Sequence, residues 1–175
     1  MIARYGAGGG LGAEPASSVL LSTSAGQPNY TRGSRRGGLP IMTGSWSLEE
    51  LDNIGTAGEL QIAGRRADET LRHWVPIWVV CVGEQVYVRT WYRHESGWFG
   101  HVRESRRARI RVPGVEVNVT VEDIGEGTAE LRAGVDTAYR TKYGRYGSAS
   151  VEQMVSAAAA ATTLRLTREE GQQGG

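Results

Sequence analysis

The chain has 175 residues, a formal net charge of +1 at pH 7 and one cysteine, Cys81, and this composition excludes several classes of protein. A folded part close to neutrality has no basic surface of the kind that binds nucleic acid or an anionic membrane, and no apolar stretch reaches the roughly 20 residues that span a bilayer. One cysteine allows no intrachain disulfide and the histidines lack zinc spacing, so we expect a cytoplasmic protein with no metal site.

Residues 1–42 differ in composition from the rest of the chain. They hold nine of the 25 glycines, four arginines and one acid, and they show no sustained apolar period. Such a segment cannot bury enough apolar surface to fold, so we predict a disordered leader at 1–42, one domain at 43–168 and a disordered tail at 169–175. Translation from Met42 explains the leader equally well, and a basic tail that recruits a partner is the functional alternative.

A helix is predicted at the start of the folded part. Ser47 and Glu50 form a capping box, in which the Ser47 hydroxyl accepts from the Glu50 amide while the Glu50 carboxylate reaches back to the Ser47 amide. Apolar residues then recur at helical spacing until Gly55 or Gly58, where we expect the helix to end.

Three strands follow this helix, at residues 59–66, 75–82 and 85–91. The second is apolar except for Pro76, which is typical of a strand buried on both faces. Gly83 begins a two-residue hairpin turn that joins the second strand to the third.

The second half of the chain alternates helices and strands. Residues 115–122 are the clearest strand, because four valines alternate with polar side chains. We predict a helix at 98–104, strands at 107–112 and 115–122, a helix at 128–143, a helical turn or two within 151–161, and a last strand at 163–168.

Short antiparallel hairpins with inserted helices favour a closed or split barrel, because closure removes exposed sheet edges. The predicted fold is therefore α+β, with about six mainly antiparallel strands and two to four flanking helices.

Several short motifs carry a family resemblance. The first strand ends in Gly64-Arg65-Arg66-Ala67-Asp68, and the motifs after it are Arg72, Val75-Pro76-Ile77-Trp78 and Trp98-Phe99-Gly100-His101-Val102-Arg103. This order resembles the deazaflavin-dependent nitroreductases and the FMN-binding split barrels related to them. Over residues 46–166, including Lys142-Tyr143-Gly144-Arg145-Tyr146, the chain resembles more closely a domain-of-unknown-function family of small split-barrel proteins.

Three arginines, Arg65, Arg66 and Arg72, surround the loop between the first two strands. Guanidinium groups suit phosphate because they offer paired N–H donors and a permanent charge, and the resemblance implies that they bind a cofactor phosphate. The alternative is that they are solvated loop residues paired with Asp68 or Glu69.

The segment 74–99 is rich in aromatic residues, among them Trp74, Trp78, Trp91, Tyr92, Trp98 and Phe99. Planar rings suit a planar ligand such as an isoalloxazine or a polyketide aromatic, and packing in the barrel core is the alternative. Trp78, Trp91 and Trp98 are the candidates for contact with a cofactor ring, with Trp78 the one favoured for the core.

His94 and Tyr143 are the candidate catalytic residues. His94 and Glu95 follow a strand and could share a proton-transfer role, and Tyr143 could donate to a developing oxyanion. The alternatives are a surface histidine and a tyrosine that packs its helix onto the barrel.

The sequence therefore predicts a flavin- or deazaflavin-dependent oxidoreductase that acts on a small or polycyclic organic substrate, with FMN or the deazaflavin coenzyme as cofactor. The resemblance also implies a homodimer. Two alternatives remain open: a cofactor-free cyclase or isomerase of secondary metabolism, which Ala67 and Asp68 in the phosphate loop favour, and a non-catalytic ligand-binding module.

Overall fold

The structure is a computed structural model that describes residues 44–92 and 97–170. The predicted leader at 1–42, the candidate His94 and residues 171–175 of the predicted tail lie outside the described residues.

Five α-helices and seven strands lie within the described residues. The helices are α1 (Leu48–Thr56), α2 (Gly97–Ser105), α3 (Ala129–Tyr143), α4 (Ser148–Met154) and α5 (Ala157–Ala160), with a 3₁₀ turn at Gly144–Tyr146. The strands are β1 (Leu60–Gly64), β2 (Val75–Ile77), β3 (Val79–Val82), β4 (Gln85–Val88), β5 (Arg107–Val112), β6 (Val115–Asp123) and β7 (Leu164–Arg168).

The strands form one antiparallel sheet in the order β2-β1-β5-β6-β7-β4-β3. The two edge strands, β2 and β3, are separated in the chain by Trp78 alone. The polypeptide therefore joins one edge of the sheet directly to the other, and the sheet curls into a nearly closed barrel. The predicted α+β split-barrel fold is confirmed.

The prediction of a single strand at 75–82 is wrong, and the barrel has seven strands rather than about six. Val75–Ile77 pairs with β1 and Val79–Val82 pairs with β4, so the run changes partner at Trp78. Pro76 lies in the edge strand β2, where its missing N–H breaks no ladder. An apolar run reports burial but not pairing, so periodicity could not reveal the change of partner.

Local signals at the ends of the elements are confirmed. The Glu50 amide donates to the Ser47 hydroxyl at 3.1 Å, and the Ser47 amide donates to the Glu50 carboxylate at 2.9 Å. Gly83, with φ +58°, begins the turn between β3 and β4 in a conformation that L residues rarely adopt. The capping box and the hairpin thus form as the residue types predict.

The barrel and the helices bury two separate apolar clusters. The first, called here the barrel core, fills the interior and includes Ile62, Ile110, Val119 and Leu166. The second, called here the helix-side core, lies between strands β3 and β4 and helices α3 and α4, and includes Tyr139. Helices α3 and α4 therefore cover one side of the barrel.

A fully buried arginine, Arg89, connects the helix layer to the barrel. Its Nη1 donates to the Asp136 carboxylate of α3 and to the Met154 carbonyl of α4 at 3.3 Å, and its Nε donates to the Thr163 hydroxyl at 2.8 Å. Since a buried charge is tolerated only when paired and hydrogen-bonded, Asp136 is essential to this arrangement.

We predict that Asp136→Ala lowers the free energy of unfolding by about 3 kcal/mol, because it leaves the Arg89 charge buried without its carboxylate. The control is Glu152→Ala, which removes an exposed ion pair with Arg140 and should change stability by less than about 1 kcal/mol. Urea denaturation of both variants measures the difference, and equal effects would contradict the assigned role of Asp136.

Lys142, the single lysine of the chain, connects α1, β3 and α3. Its Nζ donates to the Val79 carbonyl at 2.8 Å and to the Ile54 carbonyl at 3.3 Å. Partial burial lowers the pKa of Lys142 from its usual 10.5 to about 8.

Because the folded state releases the Lys142 proton at a lower pH than the unfolded state, the unfolded state binds more protons between about pH 8 and 10. We therefore expect the stability of the wild type relative to Lys142→Met to rise across this window, by about 1 kcal/mol after allowance for partial exposure. Denaturation at pH 8 and pH 10 measures it, and a difference independent of pH would refute the lowered pKa.

Candidate functional site

The loop after β1 is a tight extension of the hairpin between β1 and β2. The Arg72 amide donates to the Gly64 carbonyl at 2.9 Å, and the Arg66 amide donates to the Thr70 carbonyl at 2.9 Å. Glu69 occupies the left-handed region, with φ +67°. The three predicted phosphate-binding arginines therefore lie in a hydrogen-bonded extension of the hairpin rather than in an open loop.

Strand alternation places these arginines on two faces of the sheet. Gly64 pairs with Ala108, which is buried on the barrel-core side, and the Arg72 side chain lies on that side. Arg65 points to the opposite, outer face, where it contacts Asn118. The structure therefore separates Arg65 from Arg72.

Arg72 and His101 both lie close to Gly64. From the position that a Cβ on Gly64 would take, the Arg72 Cδ is 3.6 Å away, the His101 Cβ 3.7 Å and the Val102 Cγ2 3.3 Å. Glycine at this position lets α2 approach the end of β1 closely. Both Arg72 and His101 are half-buried, and within 44–92 and 97–170 neither side chain has a protein partner. We call Gly64, Arg66, Arg72, Trp98 and His101 the α2 rim.

Arg66 and Asp68 are held by their own loop. Arg66 Nη1 donates to the Leu71 carbonyl at 2.9 Å and to the Thr70 hydroxyl at 3.2 Å. The Asp68 carboxylate accepts from the Thr70 hydroxyl and amide, and these bonds lower the pKa of Asp68. The loop therefore carries an ionised aspartate beside Arg66.

On the outer face, Arg65 belongs to a network that we call the outer-face cluster: Arg65, Glu69, Arg107, Asn118 and Glu169. Glu69 accepts from Arg65 Nη1 at 2.7 Å and from Arg107 Nη1 at 2.6 Å. These contacts lower the pKa of Glu69. The predicted alternative, an arginine paired with Glu69, describes the contacts of Arg65.

The candidate aromatic residues lie in different places. Trp78 stacks on Tyr143 with ring centroids 4.2 Å apart and packs against the helix-side core, whereas Trp98 packs against the barrel core. Trp91 is 49% exposed and lies beside Tyr92. Of the three, Trp98 lies on α2 three residues before His101, on the same helix face.

Tyr143 is fully buried. Its hydroxyl accepts from the Val79 amide at 3.0 Å and donates to the Val79 carbonyl at 3.1 Å, and burial raises its pKa. These contacts attach α3 to the first residue of β3. They give Tyr143 a structural role in this conformation, as the packing alternative describes.

A groove of about 580 Å³ lies near the turn between β5 and β6 and is lined by Glu59, Gln61 and Arg111, among others. None of the residues predicted from the sequence lines this groove. The charged residues of its walls are exposed, so we place the candidate site at the α2 rim, where Arg72 and His101 are half-buried with no partner in the part of the chain that the structure describes.

His101 is the residue of the α2 rim that the sequence did not single out. Its spacing from Trp98 was a usable signal, because residues three apart share a helix face. No signal in the sequence indicated that His101 lies near Arg72, because their proximity depends on how α2 packs on Gly64.

A family model described as "Uncharacterized protein conserved in bacteria (DUF2255)" matches residues 50–166. The match covers more than half of the chain, so the protein belongs to this family, and the predicted membership of a domain-of-unknown-function family is confirmed. No curated protein matches the sequence significantly.

Three solved structures are similar to this chain. A conserved hypothetical protein, Rv2991, from Mycobacterium tuberculosis has 12% identity and a TM-score of 0.45, covering 77% of this chain and 87% of its own. A structure titled "F420 Reductase" has 15% identity and a TM-score of 0.41, covering 69% and 92%. A FAD-binding protein from Mesorhizobium loti has 16% identity and a TM-score of 0.45, covering 74% and 95%. At these values the similarities carry no argument about function.

The packing of α2 against β1 should be sensitive to a single methyl group. We predict that Gly64→Ala lowers the free energy of unfolding by about 1 kcal/mol or more, because its Cβ would crowd Val102 at 3.3 Å. The control is Gly144→Ala, where nothing lies within 4 Å of the added atom. Thermal denaturation of both variants measures the effect, and equal stabilities would show that α2 does not press on Gly64.

Proposed function

We propose that this DUF2255 protein is a flavin- or deazaflavin-dependent oxidoreductase whose cofactor phosphate binds at the α2 rim. Arg72 is the main phosphate ligand in this proposal, with His101 and Arg66 beside it. The observation that carries the proposal is the pair of half-buried side chains near Gly64, Arg72 and His101, which have no partner among the described residues.

The residues of the α2 rim fit a phosphate group. A guanidinium that has no carboxylate partner among the described residues and is partly shielded from water binds an oxyanion more strongly than an exposed one. His101 adds a ring N–H donor on the other side of the same glycine.

The ring system of the cofactor would lie against Trp98, which is half-buried on the same helix face as His101. A bound flavin or deazaflavin supplies the hydride chemistry. The chain's own part is to hold the phosphate with Arg72, to orient the ring on Trp98 and to position a small or polycyclic organic substrate. His94 as a proton donor, a homodimer and a cytoplasmic location stay predictions.

A cofactor-free cyclase or isomerase is the second candidate, and Asp68 is the observation that favours it. Its ionised carboxylate lies in the loop that would face the phosphate, and like charges repel. In that case the exposed rings of Trp91 and Tyr92 would contact the substrate.

The experiment is a fluorescence titration of the purified protein with FMN and with the deazaflavin coenzyme. We predict that Arg72→Gln weakens binding about tenfold or more, because a charge-assisted phosphate contact contributes about 1.5–3 kcal/mol. The matched control is Arg140→Gln, which removes an exposed arginine paired with Glu152 and should bind like the wild type.

Failure of the wild type to bind either cofactor would end the proposal and leave the cofactor-free enzyme or a ligand-binding module. Binding that Arg72→Gln and Arg140→Gln weaken equally would mean that net charge, rather than the α2 rim, attracts the phosphate.

A further inference from the structure

The outer-face cluster holds the Glu69 carboxylate in the way that proteins hold an oxyanion. One oxygen accepts from Arg65 Nη1 at 2.7 Å and the other from Arg107 Nη1 at 2.6 Å. Two guanidinium groups from different strands thus converge on one anionic group. The cluster lies on the face of the sheet opposite Arg72, so it is separate from the α2 rim.

Both arginines are held in place without Glu69. Arg65 Nη2 donates to the Asn118 side-chain carbonyl at 2.6 Å, and Arg107 Nε donates to the Glu169 carboxylate at 3.1 Å. If the Glu69 side chain swings away, these two contacts keep the guanidinium groups converging on the same point. The donors are therefore preorganised for any oxyanion of suitable size.

Glu69 leaves part of this donor set unused. The Arg65 side chain is only 13% exposed, and its Nε is buried without an acceptor among the described residues. A buried donor without an acceptor is costly. A tetrahedral phosphate has more acceptor oxygens than a carboxylate, so it could satisfy additional N–H groups in the cluster.

Two features of Glu69 favour displacement of its carboxylate from Arg65 and Arg107. Its side chain is 56% exposed at the tip of a hairpin loop, and its backbone has φ +67°, a conformation that glutamate rarely adopts. A competing anion would have to displace only an exposed side chain on a short loop.

We propose that Arg65 and Arg107 form a second anion site for a phosphate-type dianion, which Glu69 occupies until the ligand displaces it. The Glu69 carboxylate and an external phosphate therefore compete for the same two arginines. The ligand of this site is either free phosphate or a phosphate monoester, since both present the same oxygens to the arginines.

The test measures binding of inorganic phosphate and of glycerol 2-phosphate to the full chain by calorimetry at low ionic strength. Glu69→Gln should bind at least about tenfold more tightly than the wild type, because it removes the competing charge and leaves both arginines in place. Glu69→Gly, which also relieves the left-handed backbone, should show the same gain.

The matched control is Glu116→Gln. It removes one negative charge from the same sheet face, where Glu116 pairs with Arg109 at 3.1 Å, and it should bind phosphate like the wild type. Adding Arg107→Gln to Glu69→Gln should abolish the gain. A gain with the inorganic ion alone identifies free phosphate as the ligand, and a gain with glycerol 2-phosphate as well identifies a phosphate monoester.

Wild-type affinity in both Glu69 variants would overturn the proposal, and so would an equal gain in Glu116→Gln. These outcomes are distinguishable from failure of the proposed cofactor site, because Arg72→Gln leaves the outer-face cluster unchanged and should not alter phosphate binding in the Glu69 variants.

Discussion

The architecture depends on the crossing of one short segment from one edge of the sheet to the other. Strands β2 and β3 are the two edges, and Trp78 alone separates them in the chain. Edge strands present unpaired backbone groups. Here, helix α3 satisfies them at the crossing, because Tyr143 bonds both the amide and the carbonyl of Val79 and Lys142 donates to the same carbonyl. Helix α3 therefore supports the barrel at the point where it closes, and Trp78 stacks on Tyr143 at the same place.

Because the sheet curls, every strand has an inner and an outer face. Residues close in sequence can therefore point to different faces and contact different partners. Arg65 and Arg72 flank the same loop, yet Arg65 contacts Glu69 and Asn118 on the outer face, whereas Arg72 lies beside α2. The arginines around this one loop therefore fall into two groups with different partners. The guanidinium of Arg72 is open to a ligand, while that of Arg65 is already engaged by a carboxylate.

The buried arginine Arg89 has a comparable role for the helix layer. Its guanidinium bonds residues of α3 and α4 and Thr163, the residue before β7. The next residue, Thr90, forms two hydrogen bonds with Thr162, at 3.1 and 2.9 Å. The Thr90 hydroxyl then donates to the Tyr92 carbonyl at 2.6 Å. Buried polar contacts therefore fix the backbone next to the exposed residues Trp91 and Tyr92. Binding residues require rigid support of this kind.

Local signals determined the parts of this protein that depend on a few neighbouring residues. The capping box at Ser47 and Glu50, the turn at Gly83 and the alternating valines of β6 act over a few residues, and each formed as predicted. Tertiary structure decided what depends on partners far along the chain: the division of residues 75–82 into two strands, the separation of Arg65 from Arg72, and the packing of His101 and Arg72 near Gly64. The physical reason is that periodicity records which side chains are buried, whereas the choice of partner depends on the closure of the whole sheet.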